Sequence, residues 1–328
     1  MELASFKEYL HEKKLDSEKI DAAVNIVRDF DEFLSKTEKS VETATYDDLH
    51  NFSAHLIEKS QNSFDNYVAL LRFGYFQKNK PLIIASMELV DGSEMIANFS
   101  QRLIEEFGEK VRDEIFGDSP IPPLGLHPKT KPEITKKLVE RLLAKVGQEK
   151  AKEFLAVGLR DKYTESYKQA RETFLQTENI DDFLKIKYQK LLKTLDQHLQ
   201  DGSLFFTQAV DESVMAHVQN DPTIEAGVRE GNQVVITKIP YMAKQYLETT
   251  KEREKRYFFC HCPWVREALL EEDQPIDPIF CHMSGGYYKN YWEAVLDHPV
   301  KVELLESVIR GDAVCKFALQ LPPEFVPE

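Results

Sequence analysis

Hydrophobic positions in the first 80 residues recur at three- and four-residue spacing. Leu3, Phe6, Tyr9 and Leu10 predict one helix, and Ile20, Ala23, Val24, Ile26, Val27, Phe30, Phe33 and Leu34 predict a longer second one. Thr45 stands where an N-cap is needed, with Asp47 and Asp48 in the first turn, where the positive end of a helix dipole favours acids. Leu49, Phe52, Leu56 and Ile57 form the next buried stripe, and Phe64, Tyr67, Val68, Leu71, Phe73 and Tyr75 the fourth. Residues 117–132 break the pattern with five of the chain's 15 prolines. Proline at this density stops helices and favours extended chain, so the stretch reads as a linker. Helical spacing returns over 133–200, with Ile134, Leu138, Leu142 and Val146 on one face and Gly147 as a stop. Beyond Asp201-Gly202, residues 234–239, 257–262, 299–307 and 313–319 read as strands, and 265–270 and 286–296 as helices. Arg310-Gly311-Asp312 is the turn of an antiparallel hairpin. The expected fold is an all-α N-terminal half followed by an α+β C-terminal domain with an antiparallel sheet, divided as 1–82, 83–200 and 201–328.

The composition fits a soluble globular chain: 328 residues, 42% hydrophobic and 11% aromatic. Lys and Arg number 42 against 56 Asp and Glu, a formal charge of −14, which repels phosphate backbones and makes nucleic acid a disfavoured partner. No apolar run approaches the roughly 18 to 20 residues a membrane span requires, and the start lacks the basic-then-apolar order of a secretory signal. A cytoplasmic location is expected. Walker, dinucleotide-fingerprint, Gly-x-Ser-x-Gly and His-Glu-x-x-His motifs are absent from the sequence, which leaves most familiar enzyme classes unsupported.

Cysteine placement changes the picture. Cys260, Cys262, Cys281 and Cys315 all lie in the last 70 residues. On a strand over 257–262, Cys260 and Cys262 would share a face, since side chains two apart point the same way. Thiols from three neighbouring segments could then converge as ligands of zinc, or less readily of an iron-sulfur centre. The competing reading is a set of buried, unliganded thiols, because free cysteine packs as a small hydrophobe. His261 and His282, each beside a cysteine, are candidates for ligand, thiol-activating base or ordinary histidine. The spacing of Tyr287, Tyr288, Tyr291, Trp292 and Val295 suits a core stripe.

Two resemblances refine these expectations. Phe6-Lys7-Glu8-Tyr9-Leu10, the Asp-Phe-Asp-Glu-Phe-Leu run at 29–34, Ala44-Thr45 ahead of Asp47-Asp48-Leu49, and Leu70-Leu71-Arg72-Phe73 resemble the helical core-binding domain of tyrosine recombinases. No His-x-x-Arg box follows downstream, and residues 1–85 hold eleven Lys and Arg against fifteen Asp and Glu. The expectation is therefore a helical packing or dimerisation domain, with a homodimer as one candidate assembly and a nucleic-acid adaptor as a rival. The second resemblance lies in Cys281-His-Met-Ser-Gly-Gly-Tyr-Tyr-Lys-Asn-Tyr-Trp, His298-Pro-Val-Lys-Val-Glu-Leu-Leu-Glu-Ser and Gly311-Asp-Ala-Val-Cys-Lys-Phe. It is similar to the hydrocarbon-binding 4-vinyl reductase domains and the related thiazoline-carboxylate hydrolase-like family. In phenol-sensing members the matching cysteines help bind zinc, which implies Cys281 and Cys315 here. Where those sensors carry a third cysteine this chain has Ser307, so Cys260, Cys262, Glu303 or Glu306 would have to complete the set. The resemblance also implies a ligand cavity beside the helix that follows Cys281, with Trp264, Tyr288 and Trp292 as wall candidates. The functional expectation is a small-molecule binding protein for an apolar or aromatic ligand with a cysteine-held metal. A metal- or cysteine-dependent hydrolase is the enzymatic alternative.

Overall fold

A computed structural model describes residues 3–161, 164–271 and 275–326. The chain divides by packing into two units, Met1–Ser93 with Pro120–Lys131, and Glu94–Ser119 with Pro132–Glu328. The first is built on α1 (Leu3–Glu12), α2 (Ser17–Ser35), α3 (Tyr46–Glu58), α4 (Phe64–Gln77) and α5 (Lys80–Val90). Thr45 caps α3 as expected: its hydroxyl accepts from the Asp48 N–H while Asp48 reaches back to the Thr45 N–H, satisfying two end groups that the helix itself leaves open. Phe6, Ile20, Phe30, Phe52, Tyr67 and Phe73 bury the stripes read from the sequence. The core also takes in Leu82, Ala85 and Leu89 of α5, so the unit does not end at residue 82.

The proline-rich stretch is not a free linker. Residues 120–131 return to the first unit, where the Gly125 carbonyl accepts from the Ser53 hydroxyl at 2.6 Å and the Leu124 carbonyl from the Asn62 amide at 2.9 Å. Gly125 has φ +83, and a Cβ there would overlap the Tyr67 hydroxyl, so this approach requires glycine.

The second unit opens with α6 (Met95–Phe107), α7 (Glu109–Phe116), α8 (Lys131–Val146), which stops ahead of Gly147 as expected, and α9 (Gln148–Leu155). It continues through α10 (Thr164–Phe174), α11 (Ile180–Asp201), the short hairpin β1 (Leu204–Phe205) and β2 (Gln208–Ala209), and α12 (Glu212–Gln219). β3 (Val228–Glu230), β4 (Gln233–Thr237), α13 (Ala243–Glu248), α14 (Glu252–Phe259), α15 (His282–Leu296), β5 (Lys301–Glu306) and β6 (Lys316–Gln320) complete it. The four-stranded sheet is antiparallel throughout in the order β3-β4-β6-β5. The chain is thus all-α at its N-terminal end and α+β at its C-terminal end. The boundary drawn at residue 200 has no counterpart in packing. Met95, Phe99, Leu142 and Phe154 share one core with Phe259, Trp264, Phe280 and Met283, so those helices have no core of their own.

One expected strand is a helix. Residues 257–262 continue α14 as far as Phe259, because Glu252 and Glu254 favour a helix start and the Glu-Arg-Glu-Lys-Arg run is rich in helix formers. The aromatic run Tyr257-Phe258-Phe259 mimics a strand locally, yet the helix ends only at Cys260.

Candidate functional site

Helix α15 lies on the sheet, where Tyr288, Trp292 and Val295 pack with Ile236, Phe317 and Leu319 and with Phe183 of α11. Gly286 lets this helix meet the chain before α10. A Cβ there would come within 2.1 Å of the Gly158 nitrogen, and the nearby Asn290 amide donates to the Val157 carbonyl at 3.3 Å. Two arginines pin the surrounding elements. Arg171 of α10 donates to the Val295 carbonyl and pairs with Asp297 at 2.9 Å, and Arg229 of β3 grips Asp181 of α11 at 2.8 Å through several hydrogen bonds.

Between α10, α11 and α15 opens a cleft of about 350 Å³. Tyr287, Tyr288 and Tyr291 form one wall, Phe183, Ile186 and Leu191 another, and Ala170 and Thr173 a third. Three side chains that carry formal charge line it, Lys187, Lys190 and Glu225. The Lys187 ammonium lies over the rings of Tyr291 at 4.7 Å and Trp292 at 4.9 Å, and donates to the Glu225 carbonyl at 3.4 Å. Burial lowers its pKa to about 8, against a smaller opposing pull from Glu225. Glu225 sits at φ +56, a left-handed conformation uncommon outside glycine, held by its N–H to the Thr237 carbonyl at 2.8 Å. Burial raises its carboxyl above the usual range, even though Oε1 accepts the Ile239 N–H at 3.0 Å.

Of the three wall candidates, Tyr288 lines the cleft. Trp292 is a correction: it is 0% exposed, and its indole N–H is buried without an acceptor among the described residues, so it is core beneath the wall. Trp264 is a second correction. It belongs to the other core of this unit, where its carbonyl accepts from the Thr135 hydroxyl at 2.8 Å.

The thiols gather elsewhere in the same unit. Cys260 and Cys262 are buried, Cys281 and Cys315 half-buried, and Cys260, Cys262 and Cys315 contribute to or pack against one core. They are close enough for their charges to interact: burial, then Cys262, Cys315 and Cys281, drives the Cys260 thiol well above its ordinary pKa. Burial and then Cys315 push Cys281 up to about 12. The Ser307 hydroxyl donates to Cys281 Sγ at 3.1 Å. A donor of this kind suits a thiolate on a soft metal. As placed, however, no three His, Cys, Asp or Glu side chains among the described residues are grouped to hold an ion. The supplementary ligands are engaged otherwise. His261 Nε2 meets the Ile239 carbonyl at 2.5 Å, Glu303 pairs with Lys301 at 3.7 Å and Glu306 with Lys316 at 2.9 Å. His282 opens α15, where burial first, then Lys152 and Arg310, lowers its pKa.

Sequence reasoning missed Lys187 and Glu225. A signal for the first existed: Ile180, Phe183, Leu184, Lys187, Leu191 and Leu195 recur on the apolar side of α11, and Lys187 is the charged member of that stripe. Comparison with known proteins adds nothing to this geometry, since no family model, curated protein or solved structure matches the chain.

Proposed function

We propose that the chain binds a small apolar or aromatic molecule in the cleft of its second unit. The carrying observation is a largely aromatic and aliphatic cleft into which Lys187 and Glu225 project, neither in an ion pair with any described residue. A region built only for stability gains more from well-packed hydrophobes than from desolvated charges. Its volume, 350 Å³, falls at the small end of the range of roughly 300 to 1,000 Å³ common for small-molecule sites. A cysteine nucleophile finds less support, because burial raises the thiols and the thiolate is the reactive form. Among the described residues no helix is long and apolar enough to cross a membrane, and four cysteines outside any disulfide suit a reducing cytoplasm.

Equilibrium dialysis with 2-naphthalenemethanol tests this reading. Saturable binding of one molecule per chain is expected, and Thr173→Trp, which fills the cleft from the half-buried face of α10, should abolish it while the fold, followed by circular dichroism, is kept. Equal binding by both proteins, or none by either, refutes the reading. A second reading adds one zinc ion to Cys281, Cys315 and a sulfur from Cys260 or Cys262, and the Ser307 hydroxyl facing Cys281 Sγ favours it. When bound, the metal would contribute folding free energy to this region. Elemental analysis of protein purified without added metal should give about one zinc per chain. Metal-free protein with four titratable thiols refutes it.

A further inference from the structure

We infer that Lys187 is a reactive amine, placed in the cleft to condense with the carbonyl carbon of an aromatic aldehyde or ketone. The inference rests on the cleft being the ligand site and goes on to name the chemistry performed there. Its geometry has three parts. The amine stands at the meeting of an aromatic wall and an aliphatic one, so a flat ring lying along Tyr287 and Tyr291 brings its substituent toward Nζ. No carboxylate lies within ion-pair distance of Lys187 among the described residues, and its only hydrogen bond there is the long 3.4 Å contact with the Glu225 carbonyl. Glu225 lines the same cleft and is the acid whose charge Lys187 senses.

The surroundings favour a neutral amine at mildly alkaline pH. Burial lowers the ammonium to about 8, the state in which a lysine becomes a nucleophile. The groups facing it come from every side: Tyr287, Tyr288 and Tyr291 from α15, Glu225 from the turn before β3, and Lys190 from its own helix. The part of the cleft lining supplied by α10, Ser166, Gln169, Ala170 and Thr173, carries no charge. Both α15 tyrosines that burial affects most, Tyr288 and Tyr291, are held neutral, so they add no anion to keep the ammonium charged. Glu225, raised above the ordinary carboxyl range, is suited to hand over and recover a proton.

The step balances without an oxidant or reductant. The Nζ lone pair forms a bond to the carbonyl carbon, and the C=O π pair moves to oxygen, which takes a proton. The resulting carbinolamine loses its hydroxyl as water, with a proton from Glu225, and the nitrogen gives up its remaining protons to leave an imine. Amine and carbonyl become imine and one water.

The test uses the full chain with 2-naphthaldehyde and sodium cyanoborohydride, read by intact mass and peptide mapping, with dialysis of 2-naphthalenemethanol in parallel. One adduct per chain on Lys187 is expected, forming on the order of tenfold or more faster than on surface lysines, saturating in aldehyde and rising with pH through about 8. The alcohol should slow it competitively. Lys187→Arg, which keeps the charge, should remove the fast adduct while still binding the alcohol, and Glu225→Gln should slow labelling. If the alcohol binds in the cleft and Lys187 labels no faster than surface lysines, the inference is overturned and the binding reading stands. If the alcohol does not bind either, both fall.

Discussion

Each unit buries a basic side chain whose charge the fold opposes, and the two are placed in contrasting ways. In the first unit His50, 3% exposed, packs tilted against Tyr46 at 4.3 Å and His127 at 4.7 Å, with neither ring nitrogen hydrogen-bonded among the described residues. Around it Tyr46 donates to the Glu88 carboxylate and Lys131 donates to the Glu88 carbonyl at 3.2 Å, both Glu88 and Lys131 being buried. Burial first, then His127 and Lys131, lowers the His50 pKa to about 3. In the second unit Lys187 is half-buried and opens onto a cleft. The contrast separates two uses of the same physics: a sealed base acts on stability alone, while a base facing a cleft is available to a ligand.

Acid should expose the difference most strongly. The His50 pKa lies below its unfolded value of 6.5, so between about 3 and 6.5 the unfolded chain holds a proton that the folded chain refuses. The associated stability is present above pH 6.5 and drains away as pH falls toward 3. Its total is on the order of 4 kcal/mol for a shift of this size. The exchange free energy at α3 should therefore fall between pH 7 and 5, and His50→Phe should flatten that dependence. An α3 whose exchange free energy is indifferent to pH in the native protein would contradict the sealed-base account.

A smaller effect of the opposite kind is expected at the cleft. Lys187→Met removes a desolvated charge and keeps an apolar stem, so at pH 7 it should raise stability by about 1 to 2 kcal/mol, measured by urea denaturation. It should also abolish the imine chemistry, an exchange of function for stability. A loss of stability instead would mean that Lys187 serves packing or the Tyr291 ring contact more than a ligand.

How much of this the sequence revealed depends on the range of the interactions involved. The helices of residues 3–77 and the Thr45 cap follow from periodicity and one capping side chain, both local. The hairpin of β5 and β6 is equally local, with Leu304 opposite Phe317. Cys260 and Cys262 were misplaced because a run of three aromatics has the same local appearance in a strand and at a helix end. The thiol neighbourhood nevertheless formed, with Ser307 against Cys281, through contacts made across the fold. Glu225 was invisible because its importance lies in a left-handed turn and a bond to Ile239, 14 residues away. The core that helices 94–155 share with the C-terminal elements is not legible locally, because a stripe of hydrophobics announces a buried face without naming what covers it.

Peptide-resolved hydrogen exchange with and without saturating 2-naphthalenemethanol tests the central claim most directly. Added protection should fall on residues 183–191, 224–227 and 286–291, with none at residues 46–53 around the sealed His50. Protection confined to the first unit, or an unchanged exchange pattern despite bound ligand, would contradict the assignment of the cleft as the binding site.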